Sequence, residues 1–177
     1  RKTMKFAFIA DIHLSRYGQD KREETSGLPE RLNSIKNALN EVGEYCYDND
    51  IGTAVIGGDI YHNKSVLYSI AQEIMLDFFE GFNNQIQFCV LDGNHDLSGK
   101  GNQAISSLRS LEYLQNMNWI SKVADFGHVQ DMLYIPYSYN LVDQVKRHTS
   151  KILISHFGLD EGMLNSGISI QSDISLN

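Results

Sequence analysis

Apolar positions along the chain fall into short unbroken runs separated by longer stretches with helical spacing. Lys5 to Ala10 is nearly continuous in apolar residues, which predicts a strand buried on both faces. Residues 14–28 are polar and charged and read as a long loop. Pro29 stands where a helix can begin, since its missing N–H would be unpaired in the first turn anyway. Leu32, Ile35, Leu39, Val42 and Cys46 then share one helical face. Thr53 to Ile56 predicts a second buried strand, closed by Gly57-Gly58. A second helix is predicted from about Ser65 to Phe82, with Val66, Ile70, Ile74 and Phe78 spaced at four. Ile86 to Leu91 predicts a third strand, and about Gln103 to Met117 a third helix with Leu108, Leu111 and Leu114 inward. Residues 119–135 read as two short strands around a turn at Gly127. Asn140 to His148 reads as a short helix, and Lys151 to Ser155 as a further buried strand. The order predicts an α/β fold, a mostly parallel sheet with helices on both faces. Ligands bind such sheets beyond the carboxyl ends of the strands.

Bulk properties narrow this further. A chain of 177 residues suits one domain. With 42% apolar residues, only two prolines and no low-complexity segment, it has the means to bury a core. No apolar run approaches the roughly 18 residues of a membrane span, and Phe6 to Ala10 is shorter than a signal-peptide core. The expectation is a soluble, cytoplasmic protein with no membrane association. Cys46 and Cys89 sit singly among apolar neighbours, which predicts buried thiols in a reducing compartment and argues against a disulfide framework or a zinc site. The net charge of -7 counts against a passive nucleic-acid-binding module. It counts less against a metalloenzyme, because carboxylates gathered round cations change the local field.

The polar clusters of interest all follow predicted strands. The first strand ends in Asp11-Ile12-His13, where extended backbone points residues two apart the same way and lets both reach one ion. The second ends in Gly57-Gly58-Asp59-Ile60-Tyr61-His62, the third in Asp92-Gly93-Asn94-His95-Asp96, and the late strand in Ser155-His156-Phe157-Gly158. One sheet edge would thus collect carboxylate, amide and imidazole donors, the mixed set expected for manganese, iron or zinc in a hydrolytic site. Gly57, Gly58 and Gly93 would let the backbone turn sharply and approach a metal or phosphate. Taken singly these pieces are weak. Asp-x-His triplets arise by chance, Gly-Gly-Asp is usually a turn, and a lone strand-end histidine is usually structural. Gly-Asn-His-Asp is sharper, and the order and placement of all four make the case.

Other residues take plainer readings. Ser98-Gly99-Lys100-Gly101 fails the phosphate-loop spacing and reads as a surface loop. Asp20 to Glu24 reads as a solvated loop. For Arg16, Tyr17, Lys21 and Arg22, contact with a nucleic-acid backbone is the lesser alternative. His148 reads as a surface helix residue, and Trp119, Tyr134, Tyr137 and Tyr139 as packing residues. No Ser-His-Asp or Cys-His nucleophile pattern is visible.

Asp11-x-His13, Gly58-Asp59-x-x-His62, Gly93-Asn94-His95-Asp96 and His156 together resemble the successive motifs of the calcineurin-like metallophosphoesterases. Within that superfamily the chain is most similar to the SbcD and Mre-type nucleases of DNA double-strand-break repair. The Asp-Ile-His-Leu form of the first motif, the histidine three residues after Asp59, and Gly-Asn-His-Asp after a buried strand carry this likeness, which runs from Met4 to about Gly162. The resemblance implies a four-layer αββα sandwich and two divalent ions, usually manganese, with iron, zinc or magnesium as alternatives. It assigns Asp11 and His13 to one ion, Asn94 and His156 to the other, and Asp59 as the bridge. His95 would be the catalytic histidine beside the scissile phosphate and His62 a second phosphate-facing one. Asp96 would orient His95 from behind or cap the following turn.

The implied activity is that of a DNA exo- or endonuclease working with a coiled-coil ATPase subunit of the SbcC/Rad type, as a homodimer in full-length form. One departure stands out: the family's last motif, Gly-His-x-His, is absent from the 177 residues. Gly127-His128-Val129-Gln130 has its first half only and precedes His156. The expectation is a nuclease domain over residues 1–177, truncated before that motif. The competing readings are a calcineurin-like phosphoesterase for cyclic nucleotides or phosphoproteins, and an inactive assembly module on the same fold.

Overall fold

The computed structural model describes residues 4–17, 22–24, 26–99, 103–121, 127–129, 132–137, 143 and 152–157. Its centre is a parallel sheet of β1 (Ala7–Ile9), β2 (Thr53–Ile56), β3 (Gln87–Leu91) and β6 (Met117–Ile120), in that spatial order. Helices α1 (Glu30–Asp48) and α2 (Ser69–Gly81) pack on one face. A second sheet of β7 (Gly127–Val129), β8 (Met132–Ile135) and β9 (Ile152–Ser155) packs on the other. Between the third motif and β6 lie a two-stranded ribbon, β4 (Leu97–Ser98) with β5 (Ile105–Ser106), and a 3-10 helix, Arg109–Tyr113. This is a mixed α/β fold with the parallel sheet layered between helices and a second sheet.

The unbroken apolar runs follow from burial of the central strands on both faces. Ala54, Ile56, Phe88 and Val90 point to the helices and join Leu32, Leu39, Ile74 and Phe78. Val55, Cys89 and Leu91, the alternate positions, meet Met132, Tyr134 and Ile154 of the second sheet. Phe88 sits edge-on to Phe78 and Phe79, with ring centroids 5.4 and 4.9 Å away. Both cysteines are buried and free, as expected. No helix among the described residues is long and apolar enough to cross a membrane.

Several elements differ from the sequence reading. Among the described residues β1 is the edge strand of its sheet, and Phe8 on it is 54% exposed, so this strand is not buried on both faces. α2 begins at Ser69, and Val66, placed on its apolar stripe, is instead exposed in the preceding loop. The third helix does not form. Ser106 Oγ donates to the buried carboxylate of Asp92 and accepts from the Leu108 N–H, so the segment becomes a ribbon and a short 3-10 turn. Leu108 and Leu111 are buried as expected. The described residues between 117 and 135 form three strands, with Gly127 opening β7 where a turn was expected, and the first joins the central sheet. β9 belongs to the second sheet, so the four motif-bearing strands do not share one sheet. Of the helix expected at 140–148, only residue 143 is described. His148, Tyr139, Lys21, residues 100–102 and the stretch beyond Phe157 lie outside the described residues.

Candidate metal centre

The loops after β1 and β2 are zipped together by a continuation of their parallel pairing. His13 N–H donates to Asp59 C=O (2.9 Å), Leu14 N–H to Ile60 C=O (2.8 Å), and His62 N–H to Leu14 C=O (2.9 Å). Asp11, His13 and Asp59 all adopt left-handed backbone, with φ of 55°, 52° and 56°. Such conformations cost about 1 kcal/mol or more for residues with a Cβ and persist where surroundings over-determine them. Three in two adjoining loops mark a site whose side chains are aimed by the fold. The left-handed turn also corrects the premise that Asp11 and His13 converge through extended backbone.

Asp59 is 3% exposed and stands at the middle of the donors. Its Oδ1 accepts the His95 amide at 2.8 Å. Its Oδ2 faces His13 Nε2 and His156 Nε2, each at 3.6 Å. These gaps are too long for N–H···O bonds. They match the roughly 3–4 Å between nitrogen and oxygen donors that each bond one ion at about 2.0–2.2 Å. Asp11 Oδ1 lies 3.7 Å from His13 Nε2, so Asp11, His13 and Asp59 form one group. On the other side, Asn94 Oδ1 is 3.0 Å from His156 Nε2, and with Asp59 these make a second. His156 Nδ1 donates to Gly57 C=O (2.8 Å), which leaves Nε2 with its lone pair directed inward. His13 Nδ1 is buried without a hydrogen-bond partner among the described residues, so the ring's chemistry lies at the Nε2 that faces the carboxylates. The donors fit divalent cations.

His62 and His95 adjoin the first group. Their rings stack with centroids 5.5 Å apart, and His13 meets them edge-on at 5.5 and 4.9 Å. His95 Nδ1 donates to His62 C=O (2.7 Å), leaving its Nε2 free for chemistry. Burial is the main cause holding the His13 ring below the ordinary histidine range. The Asp59 and Asp11 carboxylates pull it up, while His95 and His62 push it down. The result is a neutral imidazole at neutral pH, the form that binds metal.

Asp96 does neither thing expected of it. It is fully buried, and its carboxylate accepts the backbone N–H groups of Asp59 (2.7 Å), Gly93 (2.9 Å) and Tyr61 (3.4 Å), tying the second loop to the third. Burial pushes its pKa up to about 7, with the Asp59 carboxylate adding to the rise and the three N–H donors opposing it. Gly58 turns the backbone sharply, at a φ of 100°, and with Gly93 it lets the loops approach each other. A Cβ on Gly58 would stand 2.7 Å from Gly93 Cα and 2.8 Å from His156 Nδ1, and one on Gly93 would collide with the Asp59 carboxylate. They let the loops pack against each other.

Asp92 and Tyr17 carry interactions that residue type alone does not announce. Asp92 is fully buried, its Oδ1 accepting from Ser106 Oγ (2.6 Å) and Trp119 Nε1 (3.0 Å), which anchors the third motif. Trp119 is thus a packing residue, as expected, with a hydrogen bond the sequence reading did not foresee. Tyr17 O–H donates to the carbonyl of His13. Sequence offers only one signal for the Asp92 network: an acidic residue directly ending a buried apolar strand, where an unpaired charge is not tolerated.

The calcineurin-like phosphoesterase family model matches residues 4–172, and the chain belongs to that family. It is accordingly a hydrolase of phosphoesters from a metal-binding family, and Asp11, His13 and Asp59 form a group that can hold a metal ion.

Proposed function

We propose that this calcineurin-like phosphoesterase is a two-ion DNA nuclease, the exo- or endonuclease subunit of an end-processing complex of the SbcCD/Mre-Rad kind. The observation that carries the two-ion reading is the shared Asp59 oxygen, 3.6 Å from the Nε2 atoms of two histidines that arrive from different sheets. The nuclease assignment is supported by His62, three residues after Asp59 and stacked on His95.

In this reading Asp11 and His13 would hold one ion and Asn94 and His156 the other, with Asp59 available to both. The ions, manganese in our proposal, supply Lewis acidity, polarising the phosphoryl oxygens and lowering the pKa of the attacking water. His95 does the proton work. With Nδ1–H committed to His62 C=O, its protonated form offers Nε2–H to the leaving sugar oxygen. His62 faces the phosphate and stabilises the charge growing on it. Asp96 holds the Asp59 and Gly93 loops in register and so fixes the bridge. The protein works in the cytoplasm, as a homodimer with a coiled-coil ATPase.

Full-length protein with manganese should degrade linear duplex DNA. Turnover of a cyclic nucleotide, a phosphopeptide or a small chromogenic phosphodiester with duplex DNA untouched would replace this reading with another phosphoesterase. Asp59→Asn and His95→Ala should each lower DNA hydrolysis by about 10²-fold or more. Only Asp59→Asn should lose manganese binding by calorimetry, and equal loss in both variants would overturn the division of roles.

A further inference from the structure

Tyr17 lies four residues beyond His13 and reaches back to it. Its hydroxyl donates to the His13 carbonyl at 2.5 Å, and its backbone is left-handed at φ 45°. The guanidinium of Arg31, in the first turn of α1, lies 4.4 Å from the centre of the Tyr17 ring, within cation–π range. The peptide groups flanking His13 are therefore held from both sides: its N–H by Asp59 C=O and its C=O by Tyr17. Leu14 N–H, the next donor, is held by Ile60 C=O. His13 itself sits at φ 52°, a conformation that needs such restraint. Among the described residues, the Tyr17 hydroxyl is the side-chain group that bonds the His13 backbone. The other two bonds are main-chain, and removing the Tyr17 hydroxyl leaves their donors and acceptors in place.

We infer that Tyr17 is a positioning residue that sets the affinity of the His13 ion site through the His13 carbonyl, with Arg31 holding the tyrosine ring in place. The inference rests on the reading of Asp11, His13 and Asp59 as the ligands of one ion. It assigns the two ions unequal dependence on the loop after β1: the Asn94–His156 side is anchored by Gly57 C=O and shares only Asp59 with the side that Tyr17 braces.

The test is a double-mutant cycle read by manganese calorimetry on the full-length protein. Tyr17→Phe keeps the ring and its stacking and removes only the hydroxyl. It should weaken the His13 site by about three- to tenfold, the net worth of one hydrogen bond. The same loss should appear in a His156→Ala background and vanish in a His13→Ala background. Arg31→Gln should lower affinity in the same step by about twofold, and it supplies the measurement should Tyr17→Phe fail to fold. Unchanged affinity in Tyr17→Phe, equal weakening of both sites, or a loss that persists without His13 overturns the brace while leaving the metal centre intact. Wild-type protein that takes up no manganese overturns the metal centre and the brace together.

Discussion

At Asp59, opposite oxygens of one carboxylate serve different masters: Oδ1 receives the His95 amide and Oδ2 faces two imidazoles. Behind it Asp96 is buried as a second carboxylate with three amide donors, and its titration is raised to about 7 from an ordinary 3.8. Between those values the native state binds more protons than the unfolded chain, so stability falls as pH rises through the window. Urea melts of metal-free protein from pH 4 to 8 should show this decline for the wild type and lack this component in Asp96→Asn. The stability difference between the two should shrink as pH rises, and a constant difference would disprove the assignment. At this scale the sequence was informative about chemistry and silent about conformation. Asp11, His13, Asp59, Asn94 and His156 could be picked out because donor types recur after apolar runs. Asp and His enter left-handed backbone more readily than most residues, but that all three do so here follows from the bonds between the loops.

Elements were legible where burial was two-sided or helical spacing was long. Thr53–Ile56 is a strand because Ala54 and Ile56 meet the helices while Val55 meets the second sheet. α1 was legible from Pro29 and a stripe that ends at Cys46. Leu108, Leu111 and Leu114 misled because a spacing of three fits the 3-10 period as well as an α-helical face. The deciding interaction, Ser106 with Asp92, is tertiary. The stripe on α2 was over-extended by one turn at Val66. The two ends of that stripe should therefore respond very differently. Phe78→Ala, deep in the aromatic cluster, should cost about 3–5 kcal/mol in chemical denaturation, whereas Val66→Ser should stay within about 0.5 kcal/mol. Comparable losses would restore Val66 to the buried face. The exposed Lys36–Asp77 pair between α1 and α2, at 3.4 Å, adds only about 0.2–1 kcal/mol.

Over the whole molecule, the fold class and the placement of chemistry at strand ends could be read from the alternation of runs. The division into two sheets could not be read from it, because a buried strand looks the same in either. Cations that bind only the folded chain should stabilise it: at one hundred times the dissociation constant the gain is about 2.7 kcal/mol. For a chain of this size that is roughly a 5–10 °C rise in thermal midpoint. Manganese should produce the rise in wild-type protein, and Asp59→Asn should abolish it; an equal rise in the variant would place the ions elsewhere. His156 follows a strand of the second sheet, whereas Asp11, His13, Asp59 and Asn94 all extend from the first. A chain still part-way through its own assembly, with one layer formed and the other adrift, holds four of these five donors, but the imidazole that faces Asn94 and Asp59 is missing. The second donor group is thus completed only once the two layers have docked, so its formation reports on finished packing as directly as any core contact.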